Sequence, residues 1–189
     1  MLNILESIHE HQQVIQHISD FIPQMELIAK QMAETALQGG TIFWLGNGGS
    51  AADAQHLAAE LIGRFKQERR AIASLSLSTD TSVLTSLSND YDYSLIFARQ
   101  LEALCRPNDV VVGLSTSGKS QNVLKGLVKA KQRGAYTVAL TGAQGRQMVA
   151  QADWGIIVPS TVTARIQEAH TLIGHLLCEW VENVVAIKL

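Results

Sequence analysis

The strongest constraint on this chain is an alternation. Short apolar runs at residues 41–45, 71–75, 110–114, 137–140 and 155–158 are separated by stretches with helical periodicity at 51–64, 81–103, 121–133 and 145–151. All the runs but the second are rich in β-branched side chains, which suit a pleated surface. Strands that alternate with helices form βαβ units, and so a largely parallel sheet covered on both faces. A last helical pattern runs from 163 to 186. Ahead of the first strand, Ile4, Ile8, Val14 and Ile18, then Met25, Ile28, Met32 and Ala36, recur at three- and four-residue intervals. They mark two amphipathic helices within residues 1–38, with Pro23 as the expected break and Gly39-Gly40 as the stop. This N-terminal helical pair would cap the sheet or pack against another subunit. The chain has 189 residues and no Pro-rich linker, repeat or low-complexity tract, so one α/β domain over 1–189 is expected.

Composition narrows the role. A formal net charge of −2 speaks against a general nucleic-acid binder, and the basic run at 64–70 is interrupted by Glu68 as a solvated loop would be. No segment approaches the ~20 apolar residues of a membrane span. The opening MLNILESIHEHQQ puts Glu and His where a secretion signal needs an apolar run. Cys105 and Cys178 stand apart in apolar surroundings, without CxxC spacing, which suggests buried thiols in a reducing compartment. A cytoplasmic protein is expected.

Ligands of open α/β sheets sit at the carboxyl ends of strands, and two of those ends carry unusual loops. Gly46-Asn47-Gly48-Gly49-Ser50 follows the first strand. Its three glycines let the backbone approach a ligand closely, and Ser50 is placed to cap a helix whose free N–H groups attract anions. Ser115-Thr116-Ser117-Gly118-Lys119-Ser120 follows the third strand. Four hydroxyls ahead of a helix make a neutral cradle for a phosphate, more than a simple cap requires. Read from Gly113, the same stretch satisfies the nucleotide-binding pattern GxxxxGK[ST]. Such enzymes also need an acidic residue at the end of a neighbouring strand to hold Mg²⁺. The ends Leu140-Thr141-Gly142 and Val158-Pro159-Ser160 lack one, and Asp80 follows the second strand only through a polar run.

Two helices carry candidate chemistry. His56 and Glu60 are four apart and share a face, with Arg64 one turn further on. The pairing suits a metal site or an orienting hydrogen bond to a general base, and it is also a common solvated contact. In the last helix Gln167 and His175 are eight apart, pointing within roughly 80° of each other but about 12 Å apart along the axis. They share one ligand only by leaning together. Glu168 and His170 fall on other faces and read as structural or interfacial. Asn89-Asp90 interrupts a helical stretch.

Taken together, GNGGSAADAQH, SLSTDTSVLTSLSNDY, LSTSGKS and PSTVTARIQEAH…GH resemble the sugar-isomerase-domain (SIS) family, and within it the phosphoheptose isomerase branch, over nearly the whole chain. The resemblance implies a three-layer sandwich, a five-stranded parallel sheet flanked by helices, with the N-terminal helices supporting a homotetramer. It implies isomerisation of a phosphorylated ketose, sedoheptulose 7-phosphate. Ser115, Thr116, Ser117 and Ser120 match the family's phosphate cradle. Asn47, Gly48 and Gly49, with Ser50, Arg64, Asn89, Asp90 and Gln167, fall in its substrate-contacting segments. His56, Glu60, Gln167 and His175 match the zinc ligands of some members, one zinc per subunit, and Glu60 and His175 match its acid/base pair. Lys119 departs from the pattern, where Asn is usual. A close branch is a non-catalytic tetramer that binds the bacterial replication initiator DnaA. It lacks the acidic residue at position 60 and the histidine at 175, both present here.

Overall fold

The computed structural model describes residues 3–187. Helices α1 (Ile4–Gln16) and α2 (Ile22–Leu37) open the chain, joined by a 3₁₀ turn over His17–Phe21. Pro23 is not the break expected of it. It lies in the first turn of α2, where a missing N–H has no intrahelical partner to lose, and the chain turns just ahead of it. Gly39, at φ 79°, ends α2.

Strands and helices then alternate: β1 (Ile42–Leu45), α3 (Gly49–Ile62), β2 (Ser74–Ser76), α4 (Thr81–Asp90), α5 (Ile96–Leu104), β3 (Val110–Ser115), α6 (Gln121–Gln132), β4 (Tyr136–Gly142), α7 (Arg146–Val149), β5 (Trp154–Val158) and α8 (Thr163–Ile187). The five strands form one sheet in the order β2-β1-β3-β4-β5, every pair parallel.

The alternation of side chains along each strand feeds two cores. Ile42 and Trp44 of β1, with Val110, Val112 and Leu114 of β3, pack with Ile28 and Met32 of α2, Leu57 and Leu61 of α3, and Ile173 and Leu177 of α8. Phe43, Leu45 and Val111 face the opposite way, onto Phe97 and Leu101 of α5, Val123 and Leu127 of α6, and Met148. Burial on both faces is why these strands are apolar without interruption. Each such side chain contributes about 1.5–3 kcal/mol, whereas a half-exposed ion pair such as Arg99–Glu102 contributes about 0–1. The two cores hold the fold.

Two elements differ from expectation. The second strand starts at Ser74, not near 71, because the Ile72 N–H bonds the Leu61 carbonyl at the end of α3 (3.0 Å) before the chain reaches the sheet. The stretch 81–103 is two helices. Asp92 accepts the Ser94 N–H at 2.8 Å and caps a short 3₁₀ turn, Tyr93–Leu95, that redirects the chain. Helix α4 buries no residue.

The strand order also fixes where a ligand belongs. From β1 the chain moves to one side, to β2, and from β3 to the other, to β4. The crevice between the ends of β1 and β3 is the topological switch point, flanked by the glycine loop and the hydroxyl loop.

Candidate active site

At the end of β1, Gly48 adopts φ 55° and caps α3, its carbonyl accepting the N–H groups of Ala51 and Ala52. Ser50 is therefore not the cap. It lies buried in the first turn, its carbonyl oxygen so close to Gly46 that a Cβ there would meet it at 2.4 Å. Asn47 exchanges two amide hydrogen bonds with Asn122 (2.9 and 2.7 Å) and accepts the Tyr93 hydroxyl at 2.8 Å. This knot ties the glycine loop to α6 and lines a cleft of about 510 Å³ with Ser120 and Gln121. Sequence reasoning passes over Asn122 and Tyr93, which belong to no motif. Asn89 and Asp90 sit exposed at the end of α4, the Asn89 amide donating to Asp90 at 2.8 Å.

The hydroxyl loop turns tightly. Ser115 is buried, its Oγ 2.9 Å from that of Ser120, and Ser117 Oγ accepts the Lys119 N–H at 3.2 Å. Gly118, at φ 65°, presses on Gly145: a Cβ would lie 2.2 Å from its Cα. Thr116 and Ser117 are left at the rim, ahead of the N–H groups that open α6. Gly113 is inside β3, packed on Val123 and Leu127, so the GxxxxGK match begins within a strand and leaves too short a loop to wrap a triphosphate. Lys119 Nζ reaches across to Gln144 at 3.2 Å.

The catalytic candidates lie along a seam between α3 and α8, which run side by side in the same direction. Their partners are separated by a nearly constant 118 or 119 residues: Asp53 with Thr171, and His56 with His175. Gly49 meets Gln167 at the top, where a Cβ would lie 2.1 Å from the carboxamide nitrogen. The 12 Å between Gln167 and His175 is thus matched step for step by α3.

Lower on the seam His56 Nε2 lies 2.8 Å from His175 Nε2 and 3.4 Å from Glu60 Oε1. Donor atoms of His56, Glu60 and His175 all lie within 4.8 Å of one another. Two imidazoles facing each other beside a carboxylate form a donor set that suits a divalent transition metal. Glu60 is the more sheltered, its side chain 20% exposed against 48% for His56. Phe65 stacks on the His175 ring at 5.2 Å. Arg64 does not continue the His56–Glu60 face as expected, because α3 stops at Ile62 and Gly63 turns the chain out.

Asp53, also missed from sequence, sits one turn above His56. Its Oδ1 accepts the Thr171 hydroxyl at 3.0 Å, and its buried Oδ2 has no partner among the described residues. Burial raises its pKa above the ordinary carboxylate value, against the lowering pull of Thr171 and the two histidines. Glu168 pairs with His11 at 2.7 Å and fastens α8 to α1, and His170 is fully buried, so both have structural roles.

The hydroxyl loop at the switch point and the His–Glu–His cluster on the α3–α8 seam are the two candidate parts of a site on an α/β sheet. Residues 7–142 match the SIS domain family model, and the chain belongs to that family. It is 53% identical over 168 residues to the phosphoheptose isomerase of Aquifex aeolicus, covering 85% of this chain and 88% of that one. It is 46% identical over 184 residues to phosphoheptose isomerase 1 of Campylobacter jejuni, covering 97% and 99%. Among solved structures, it is similar to phosphoheptose isomerase GmhA from Neisseria gonorrhoeae, with a TM-score of 0.89 and 38% identity over 95% of this chain and 97% of that one. No helix among the described residues is long and apolar enough to cross a membrane.

Proposed function

We propose that this protein is an intramolecular aldose–ketose isomerase, a phosphoheptose isomerase that converts D-sedoheptulose 7-phosphate to D-glycero-D-manno-heptose 7-phosphate. The observation that carries the reading is the Glu60–His175 pair, brought to one cluster from two helices in a chain that also carries a hydroxyl-rich loop at the switch point. The identities to proteins of that name support it. The product is the aldose that precursors of bacterial surface heptose require.

The chemistry follows from the residues. Ser115, Thr116, Ser117 and Ser120, with the N-terminus of α6, hold the phosphate by hydrogen bonds without a matching charge. Asn47, Gly48, Gly49, Asn89, Asp90 and Gln167 would contact the sugar chain, whereas Arg64, beyond the end of α3, and the buried Ser50 side chain are not placed to do so. Glu60 takes the proton from C1 of the ketose and returns it at C2 through an enediol. His175 moves the second proton between the two oxygens. His56, beside both, fixes their orientation. The set His56, Glu60 and His175 would hold one zinc per subunit; Gln167, about 12 Å away along α8 and packed on Gly49, stands apart from it. Such an ion supplies Lewis-acid polarisation of a carbonyl.

Exposed Ile4, Leu5 and Ile8 on α1 and Leu176 and Trp180 on α8 support a homotetramer packed through these helices. The buried thiols support a reducing, cytoplasmic setting. The DnaA-binding alternative draws no support from the relatives named above. Purified protein assayed against five-, six- and seven-carbon ketose phosphates, with and without a chelator, tests the reading. Turnover is expected for the seven-carbon substrate, and Glu60→Gln retaining near-normal turnover would sink it.

A further inference from the structure

Glu182 lies on α8 outside the cluster just described, and it is completely buried. Its carboxylate accepts three consecutive backbone N–H groups, those of Phe65 (2.9 Å), Lys66 (2.7 Å) and Gln67 (3.0 Å). Arg69 Nε lies 3.3 Å away, its side chain as buried as that of Glu182. Burial pushes the Glu182 pKa up, but the backbone donors and the guanidinium outweigh it and hold the carboxyl below its ordinary range. Successive N–H groups wrapped around an anion form a nest of the kind that elsewhere binds phosphate. Here the anion belongs to the chain.

The segment that this nest anchors reaches both groups assigned to proton transfer. Phe65 lays its ring on His175, the planes 26° apart. Arg69 donates from Nη2 to the Glu60 carbonyl (2.7 Å) and from Nη1 to the Gly63 carbonyl (2.8 Å), two acceptors left over where α3 ends. A buried ion pair adds little net stability compared with apolar side chains of the same volume, so folding alone is a poor reason to keep one.

We propose that Glu182 is a positioning residue. Through residues 65–67, gathered by its carboxylate, it holds the Phe65 ring against His175 and so fixes the plane of that ring. The inference rests on the assignment of Glu60 and His175 as the acid/base pair.

The test uses Glu182→Gln, Phe65→Leu and the double variant of the full chain. Gln keeps the volume of Glu182 but loses the charge that gathers three donors, whereas Leu removes the ring and leaves the nest intact. Each single variant is expected to lower kcat about ten-fold with KM held within about two-fold. The double variant should fall no more than about two-fold below Phe65→Leu, since both act through one ring. The His175 ring NMR signals, identified by their loss in His175→Asn, carry a ring-current shift from Phe65. They should move in the same direction in Glu182→Gln as in Phe65→Leu. Should Glu182→Gln fail to fold, Glu182→Asp, one methylene shorter, serves for the same comparison. A folded Glu182 variant with unmoved His175 signals overturns the proposal, as does a double variant whose kcat losses multiply. The NMR readout does not require turnover. An active His175→Asn would therefore reject the acid/base assignment while leaving the positional result to stand separately.

Discussion

Gly174 offers the sharpest test of whether packing sets the geometry of the site. A Cβ at this position would lie 2.4 and 2.6 Å from the two Leu57 methyls and 3.0 Å from their Cγ, and Leu57 is fully buried with nowhere to swing. Gly174→Ala gains about 1 kcal/mol of helix propensity. Overpacking costs about 1–3 kcal/mol, so it wins, with a net loss of up to about 2 kcal/mol. To regain ordinary contact at about 3.5–4.0 Å, α3 and α8 must part by on the order of 1 Å. His175 follows Gly174 directly and His56 precedes Leu57, so the same movement opens the 2.8 Å gap between the two rings. A misplacement of about 1 Å at reacting groups costs up to about 100-fold in rate. Turnover of sedoheptulose 7-phosphate should therefore fall about ten- to hundred-fold while denaturant unfolding, at fixed protomer concentration, reports only the modest stability loss. Adding Leu57→Ala makes room for the new methyl and should recover much of the rate. Full activity in Gly174→Ala, or no recovery in the double variant, would refute the idea that this crossing spaces the cluster.

Further outcomes are expected elsewhere. His170 is fully buried, and its ring nitrogens have no hydrogen-bond partner among the described residues. Burial pushes its pKa down to about 4, against an opposing pull from the Thr141 backbone. The unfolded chain binds that proton near 6.5. The stability from keeping it neutral is complete above that pH and is lost as pH falls from 6.5 toward 4, in all about 3 kcal/mol. His170→Phe should lack this part of the acid slope in urea titrations, and parallel slopes for both proteins would count against it. Lys119→Asn should raise KM about two- to ten-fold in dilute buffer and little at high salt, because its ammonium is exposed and screened. A KM that is the same at every ionic strength would show that Lys119 contributes nothing to anion capture. Gly49→Ala forces the Gln167 carboxamide aside, since the new Cβ would sit 2.1 Å from its nitrogen, and should lower kcat/KM about ten-fold. Steady-state kinetics decide it.

The fold was legible wherever strands are buried on both faces. The runs containing Ile42–Leu45, Val110–Val112 and Val138–Leu140 are apolar without interruption. The edge strand was misplaced because Ser74–Ser76 alternates and Leu75 is partly exposed, so the apolar Ile72 drew the reading toward a residue that bonds to α3 instead. The site divides similarly. His56, Glu60 and His175 were found because they belong to motifs, but the seam that unites them depends on α3 and α8 running parallel, which no local spacing encodes. Asp53, Asn122 and Glu182 went unnoticed for a related reason. Each is a polar residue within a helix, and its meaning comes from a partner more than 70 residues away.

Helix α8 runs unbroken over 25 residues, about 37 Å, and carries Gln167, His170, His175 and Glu182 in turn. One residue added or removed between the first and last of these would rotate everything beyond it by about 100° and shift it about 1.5 Å along the axis. No nearby loop can absorb that error, because Gln167, His175 and Glu182 are each matched to a fixed counterpart. The stretch from 167 to 182 should therefore accept exchanges of side chain on its outer face and reject any change of length.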